Sequence, residues 1–419
     1  MSGLIESWVE TANDPEGWFP VNNLPYGVYC TSSGERRCCV AIGDQALDLG
    51  RLEAAGLIDS SGSFESDSLN EFMSLGDTVW TRVRARLTDL LKLDGSDDLR
   101  NDAALREVAL ILQDQITMCL PFKVSEFTDF YAGRNHAQNV GTMFRGPENA
   151  LPPNWLHIPI GYNGRASTVV VSGTDIVRPS GQLKGPEFDA PVFAPSRRLD
   201  IELEMGVVVG QPSQMGKRVS VAEADDMIFG YVLLNDWSAR DIQAWEYQPL
   251  GPFQAKAFAT SISPWIVPKA ALEPFRVSTP DRDHELLDYL VEPGPMLYDV
   301  DLEVAMTANG ADVETIISRT NYREMYYAAA QQLAHHASSG CAMNVGDLLG
   351  SGTISGTTKD SFGSLLEISW GGKEPFNLDD GSVRTFIEDG DELTLRGAAR
   401  GAGYCIGFGE CRGKILPAN

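Results

Sequence analysis

From Leu199 to Met205 apolar and acidic residues alternate without a break, within the run Arg198-Leu-Asp-Ile-Glu-Leu-Glu-Met-Gly. Period-two alternation is the pattern of a β-strand, because successive side chains leave opposite faces of the pleat. Leu199, Ile201, Leu203 and Met205 therefore fall on one face, and Asp200, Glu202 and Glu204 on the other. Side chains two residues apart on a strand stand about 6.5 to 7 Å apart, so Glu202 and Glu204 can converge on one cation. A half-exposed strand with a solvated acidic face accounts for the same letters. Acidic residues are poor strand formers, however, and unneutralised like charges on one face repel, which tilts the balance toward a bound ion.

This strand sits in a chain of 419 residues, long enough that two domains are expected. Tyr26 to Leu49 has the turn spacing of hairpins. Asp77 to Leu93 places Val79, Trp80, Val83, Leu87, Leu90 and Leu91 at helical spacing, and a second helix is predicted from Ala103 to Leu112. Pro121 ends that pattern, which puts a domain boundary near residue 120 and divides the chain into 1–120 and 121–419. Beyond it come short β-like runs at Ser167–Val171, Leu199–Val208, Ile228–Leu234, Leu302–Met306, Leu365–Trp370 and Leu393–Leu395, a spacing that predicts a large antiparallel β domain. Helices are predicted at Tyr322–His336 and Ser220–Asp226, the latter with Glu223 in its first turn.

The 58 acidic against 33 basic residues give a net charge of −25, which repels nucleic acid and anionic membrane surfaces. No run approaches the roughly 18 to 20 apolar residues of a membrane helix. Met1 to Gly17 lacks the basic and apolar regions of a secretory signal, so a soluble, intracellular protein is expected. The seven cysteines, Cys30, Cys38, Cys39, Cys119, Cys341, Cys405 and Cys411, show no C-x-x-C spacing and read as reduced packing residues.

A further carboxylate, Asp236, ends the apolar run Ile228-Phe-Gly-Tyr-Val-Leu-Leu, just before a helix start carrying Arg240 and Gln243. Capping of that helix is the plainer role for it. Asp129 in Thr128-Asp-Phe-Tyr is followed closely by His136. Such oxygen ligands suit Mg²⁺ or Ca²⁺, not zinc, and Lys256 is a candidate to balance the charge. His136 has the titration range of a general base, although by residue type alone an ordinary backbone-bonded histidine explains it better. Gly350 to Gly356 and Gly407 to Gly413 miss the dinucleotide-loop spacing, and no G-x-S-x-G elbow or Walker sequence occurs.

Longer segments carry a family likeness: Phe127-Thr-Asp-Phe-Tyr, Met143-Phe-Arg-Gly-Pro-Glu-Asn-Ala-Leu, Pro153-Asn-Trp-Leu-His-Ile-Pro-Ile-Gly-Tyr-Asn-Gly-Arg-Ala-Ser, Asp200-Ile-Glu-Leu-Glu-Met, Leu234-Asn-Asp-Trp-Ser-Ala-Arg-Asp-Ile-Gln and Ser351-Gly-Thr-Ile-Ser-Gly. In these, and in their order, the chain resembles the fumarylacetoacetate hydrolase family. The resemblance implies a mainly β (α+β) fold with a small N-terminal β-barrel domain and a large C-terminal β-roll, in a cytosolic homodimer. It implies hydrolysis of 4-fumarylacetoacetate to fumarate and acetoacetate, the last step of tyrosine and phenylalanine breakdown. By position, Asp129, Glu202, Glu204 and Asp236 match the family's ligands for Mg²⁺ or Ca²⁺, with Lys256 and Thr260 beside them. His136 matches the general base and Glu367 the carboxylate that orients it. Tyr131, Arg145, Tyr162, Gln243, Tyr247 and Thr353 match substrate-holding residues, and Arg240, Gln243 and Lys256 would stabilise an oxyanion. Rival readings are an acylpyruvate hydrolase or decarboxylase on the same scaffold, and a non-enzymatic calcium-binding module.

Overall fold

The Ile228–Asp236 strand is buried along its whole length, because both of its faces meet apolar cores. The computed structural model, which describes residues 3–187 and 189–419, sets it in an eight-stranded sheet. The order across that sheet is Gly161–Asn163, Phe127–Phe130, Leu348–Gly350, Leu203–Val209, Ile228–Asp236, Thr260–Ile262 and Val169–Val171, with Val267–Pro268 also paired to Ile228–Asp236. A strand covered on both sides reads as an unbroken apolar run. Tyr231 and Leu233 pack with Met205, Val207 and Leu349 in the core of the large region. Val232 and Leu234 face the opposite way, into a core shared with Val28, Val40, Phe72 and Leu87 of the N-terminal region.

That N-terminal region is a five-stranded antiparallel sheet ordered Leu110–Leu112, Gln45–Asp48, Arg36–Ile42, Tyr26–Cys30 and Thr117–Cys119. Its main helix, Asp77–Leu91, buries Trp80, Val83, Leu87, Leu90 and Leu91, as the periodicity requires. The second predicted helix is shorter than expected. It spans Ala103–Ala109, and Leu110–Leu112 then leaves it to pair with Gln45–Leu47. A waiting sheet edge outcompetes another helical turn, which local spacing cannot show.

A second sheet, ordered Glu314–Asn321, Asp301–Thr307, Glu392–Arg400, Cys405–Leu416 and Ile176–Val177, encloses the large core from the other side. The chain is thus α+β and sheet-rich, as expected, but the expectation of antiparallel pairing needs correction. Phe127–Phe130 with Leu348–Gly350, Val169–Val171 with Thr260–Ile262, and Ile176–Val177 with Cys405–Leu416 are parallel. Gly407 and Gly413 leave room for indoles: a Cβ would fall 2.4 Å from Trp18 and 2.7 Å from Trp237.

Other expectations are also corrected. The alternating run is broken, Leu199–Asp200 pairing with Ser238–Ala239 and Leu203–Val209 with Ile228–Asn235. Leu365–Trp370 is no strand, because Leu365–Ile368 forms a helical turn with Ser364 as its cap. Tyr322–His336 splits into a turn, Tyr322–Glu324, and a helix, Ala329–His336. Cys30 and Cys119, on adjacent strands but 89 residues apart in sequence, form a disulfide, and the remaining five cysteines are free. No helix among the described residues is long and apolar enough to cross a membrane.

The helix Val221–Met227 starts as the sequence predicts: Ser220 Oγ accepts the Glu223 N–H, and the Glu223 carboxylate accepts the Ser220 N–H at 2.7 Å. Ser220→Ala is expected to cost about 1 kcal/mol and to lower the thermal midpoint by roughly 1–2 °C. Turnover measured on the same preparation should be unchanged.

Candidate active site

Neighbouring strands bring their carboxylates to one end of the large sheet. Asp129 comes from Phe127–Phe130, Glu204 from Leu203–Val209 with Glu202 just ahead of it, and Asp236 from the last position of Ile228–Asp236. One oxygen from each lies within 4.8 Å of every other, and all four residues are buried. The strand between the first two, Leu348–Gly350, ends in glycine opposite Asp129 and Gly206. A Cβ at Gly350 would sit 2.6 Å from Asp129 Oδ1 and 2.8 Å from Glu204 Oε2. The near-miss dinucleotide motif is therefore a clearance, not a phosphate loop. Gly350→Ala should keep the fold and weaken divalent-cation binding about 10- to 100-fold, as read by titration calorimetry.

Positive charge reaches part of the cluster. Lys256 Nζ bonds to Glu202 and lies 3.0 Å from Asp236 Oδ2, while Arg240 Nη2 lies 2.8 Å from Glu202 Oε1. Burial alone would raise the Glu202 carboxyl, but Lys256 and Arg240 hold it well below the usual range. Thr260 Oγ1 and Tyr162 OH donate to Asp236, at 2.7 and 2.9 Å. Burial and the neighbouring carboxylates push Asp129 and Glu204 well up. Glu204 Oε2 accepts the Gly352 N–H at 2.9 Å, but Glu204 Oε1 and Asp129 Oδ1 find no donor among the described residues. Orphaned carboxylate oxygens in a buried all-oxygen cluster fit a hard divalent cation.

Beside the cluster, His136 projects from the helix Arg134–Arg145. Its Nδ1 lies 2.6 Å from Glu367 Oε2, and its Nε2 is 3.8 Å from Glu202 Oε1. Glu367 Oε2 also accepts from Ser355 Oγ and Ser364 Oγ, at 2.9 and 2.8 Å, and Oε1 accepts from Asn139 Nδ2 at 2.8 Å. Burial opposes the charged form, yet His136 and these donors keep Glu367 below its ordinary value. The Tyr131 and His136 rings stand nearly perpendicular, with centroids 5.5 Å apart.

These groups border one cavity of about 550 Å³. His136, Arg240, Gln243, Lys256, Tyr131, Arg145, Tyr162, Tyr247 and Thr353 line it, together with Asp129 and Glu202. Glu204, Asp236, Thr260 and Glu367 lie behind that wall. Gln243 Oε1 accepts from Arg240 Nη1 at 3.1 Å. Arg145 spends two nitrogens on the carbonyls of Asn149 and Ala150. Thr353 Oγ1 is buried without a partner among the described residues, which leaves it free for a ligand oxygen. Val140, Phe144, Ile160 and Leu250 add apolar wall. His335 and His336 serve packing, bonding to Tyr289 and Thr128.

Sequence reasoning missed Asn139, Ser355 and Ser364, the donors that surround Glu367. Two signals were present: Asn139 follows His136 by one helical turn, and Ser364-x-x-Glu367 is a capping pattern.

Residues 22–121 match the family model described as fumarylacetoacetase N-terminal, and residues 126–416 the model described as fumarylacetoacetate (FAA) hydrolase C-terminal. The fumarylacetoacetase of Homo sapiens is 48% identical over 417 residues, covering 98% of this chain and 99% of its own. That of Arabidopsis thaliana is 46% identical over 421 residues, covering 99% of both. Among solved structures, a fumarylacetoacetate hydrolase from Exiguobacterium antarcticum shares the fold, with a TM-score of 0.52 at 16% identity over 94% of this chain and 99% of its own. With both family models met in order and nearly half its residues shared with relatives along their full length, the chain belongs to the fumarylacetoacetase family.

Proposed function

We propose that this chain hydrolyses the carbon–carbon bond of 4-fumarylacetoacetate, giving fumarate and acetoacetate. The observation that carries the reading is a histidine held by a buried carboxylate on one nitrogen, its ring open to a cavity bordered by a carboxylate cluster. Glu367 accepts the Nδ1 proton, which leaves Nε2 as the acceptor for a proton from water. A positioned base of this kind contributes about 10²- to 10⁴-fold. Arg240, Lys256 and Gln243 face the same space and donate to the oxygen that becomes negative as water adds to the carbonyl. Tyr131, Arg145, Tyr162, Tyr247 and Thr353 hold the carboxylate ends and the diketone.

Asp129, Glu202, Glu204 and Asp236 would hold Mg²⁺ or Ca²⁺, with Lys256 and Thr260 beside it, and the bound cation supplies Lewis acidity toward the departing enolate. A calcium-binding module without activity would leave His136 and Glu367 unexplained. An acylpyruvate hydrolase or decarboxylase would not call for likeness to fumarylacetoacetases over the whole chain. We also propose the division into a small N-terminal domain, 1–120, and a catalytic domain, 121–419, in a cytoplasmic homodimer. Sedimentation analysis tests the dimer.

The activity is tested by the fall in ultraviolet absorbance of fumarylacetoacetate on mixing with purified protein, with chelator and with added Mg²⁺. Loss of absorbance that chelator stops is the expected result. Loss indifferent to chelator would discard the cation, and no loss at all would discard the reaction.

A further inference from the structure

Asp200 stands outside both the cavity lining and the cation-fitting carboxylates, yet its side chain is fully buried and both of its oxygens are engaged. Oδ1 accepts the backbone N–H groups of Ile201 and Leu365, at 2.8 and 2.7 Å. Oδ2 accepts the Leu366 N–H at 3.0 Å and Arg240 Nε at 2.8 Å. The backbone donors fix the carboxylate, and the carboxylate fixes the guanidinium. Of its other nitrogens, Nη1 donates to Gln243 Oε1 at 3.1 Å, while Nη2 lies 2.8 Å from Glu202 Oε1 but has no hydrogen-bond acceptor among the described residues, so it stays available at the cavity wall. Glu202 belongs to the cation-fitting cluster, so an Arg240 anchored only there would be drawn onto a carboxylate that has other work. The acidic run therefore divides its labour: Glu202 and Glu204 join the cation-fitting cluster, and Asp200, on the other side of the strand break, does not.

We propose that Asp200 is a positioning residue that holds Arg240 in place to meet the developing oxyanion, a role that rests on the hydrolase reading above. A carboxylate held by backbone donors is rigid, whereas a guanidinium on a long stem is not, and misplacing an oxyanion donor costs rate more than it costs binding.

Asp200→Asn, assayed as the Mg²⁺-loaded enzyme on fumarylacetoacetate, should lower kcat roughly 10- to 100-fold with KM within about threefold of wild type. In an Arg240→Gln background the same change should cost less than about threefold, because its route of action is already gone. A crystal structure of Asp200→Asn should show the guanidinium displaced by about 1 Å or more. Equal penalties in the two backgrounds, a wild-type kcat, or an unmoved Arg240 would each overturn the proposal. Should Asp200→Asn fail to fold, Asp200→Glu keeps the charge but shifts the carboxylate by one methylene, and the same three outcomes on that variant would overturn the proposal equally. If the wild-type protein turns over nothing, the hydrolase reading falls by itself, and the crystal comparison still decides whether Asp200 places Arg240.

Discussion

His136→Ala lowers kcat for fumarylacetoacetate by at least a hundredfold while the protein stays folded. The expected loss spans about 10²- to 10⁴-fold, the usual contribution of a positioned base. Folding survives because Glu367 does not become an orphaned charge. Asn139, Ser355 and Ser364 still donate to it after the imidazole is gone. Circular dichroism together with single-turnover kinetics separates the two properties. A variant within fivefold of wild type would remove His136 from the role of base, whatever else it does.

Glu204→Gln and Glu202→Gln should move metal-free stability in opposite directions, although both lose cation affinity. Glu204 is buried among like charges, with one oxygen lacking a donor among the described residues. Neutralising it relieves a buried, uncompensated charge and should stabilise the chelator-treated protein by about 1–3 kcal/mol. Glu202 is the partner of Lys256 and Arg240. Removing its charge takes one of two carboxylate partners from each of these buried cations, leaving Asp236 to Lys256 and Asp200 to Arg240, and should cost about 1–3 kcal/mol. Mg²⁺ affinity should fall at least about tenfold in both. Thermal unfolding in chelator and calorimetric titration with Mg²⁺ give the two readings. A lowered midpoint for metal-free Glu204→Gln would mean that the cluster is not electrostatically strained, and would remove the argument for a cation drawn from its orphaned oxygens.

Much of this arrangement is legible in the letters, because it depends on local rules. Period two announces the acidic strand, Asp236 can be placed at a strand end, and the Asp77–Leu91 helix follows from its spacing. Features decided by distant chain are not legible. Nothing in the run from Leu199 to Met205 says that it breaks, since the break depends on Ser238–Ala239 pairing with its first two residues. Leu365–Ile368 resembles a strand because three of its four residues are apolar, but two of its backbone donors are captured by Asp200, far away in sequence. The Cys30–Cys119 bridge likewise follows from strand order, not from cysteine spacing. The family likeness points to the residues around the cavity, while of the donors that surround Glu367 only Asn139 and Ser364 left a local signal, and Ser355 emerges only from the geometry.

The large sheet is covered on its back by the N-terminal region, and this bears on how the chain is made. Synthesis delivers the N-terminal strands and helices first. Their apolar side, however, is completed by Val208, Phe229, Val232, Leu234, Ile262 and Leu348, which emerge much later. Until then Val28, Val40, Phe72 and Leu87 have only each other for cover. The nascent chain therefore passes through a stage with a large greasy surface exposed, in which chaperone capture and aggregation compete. Substitutions along that seam should reduce yield in the cell more than they reduce the activity of whatever protein matures.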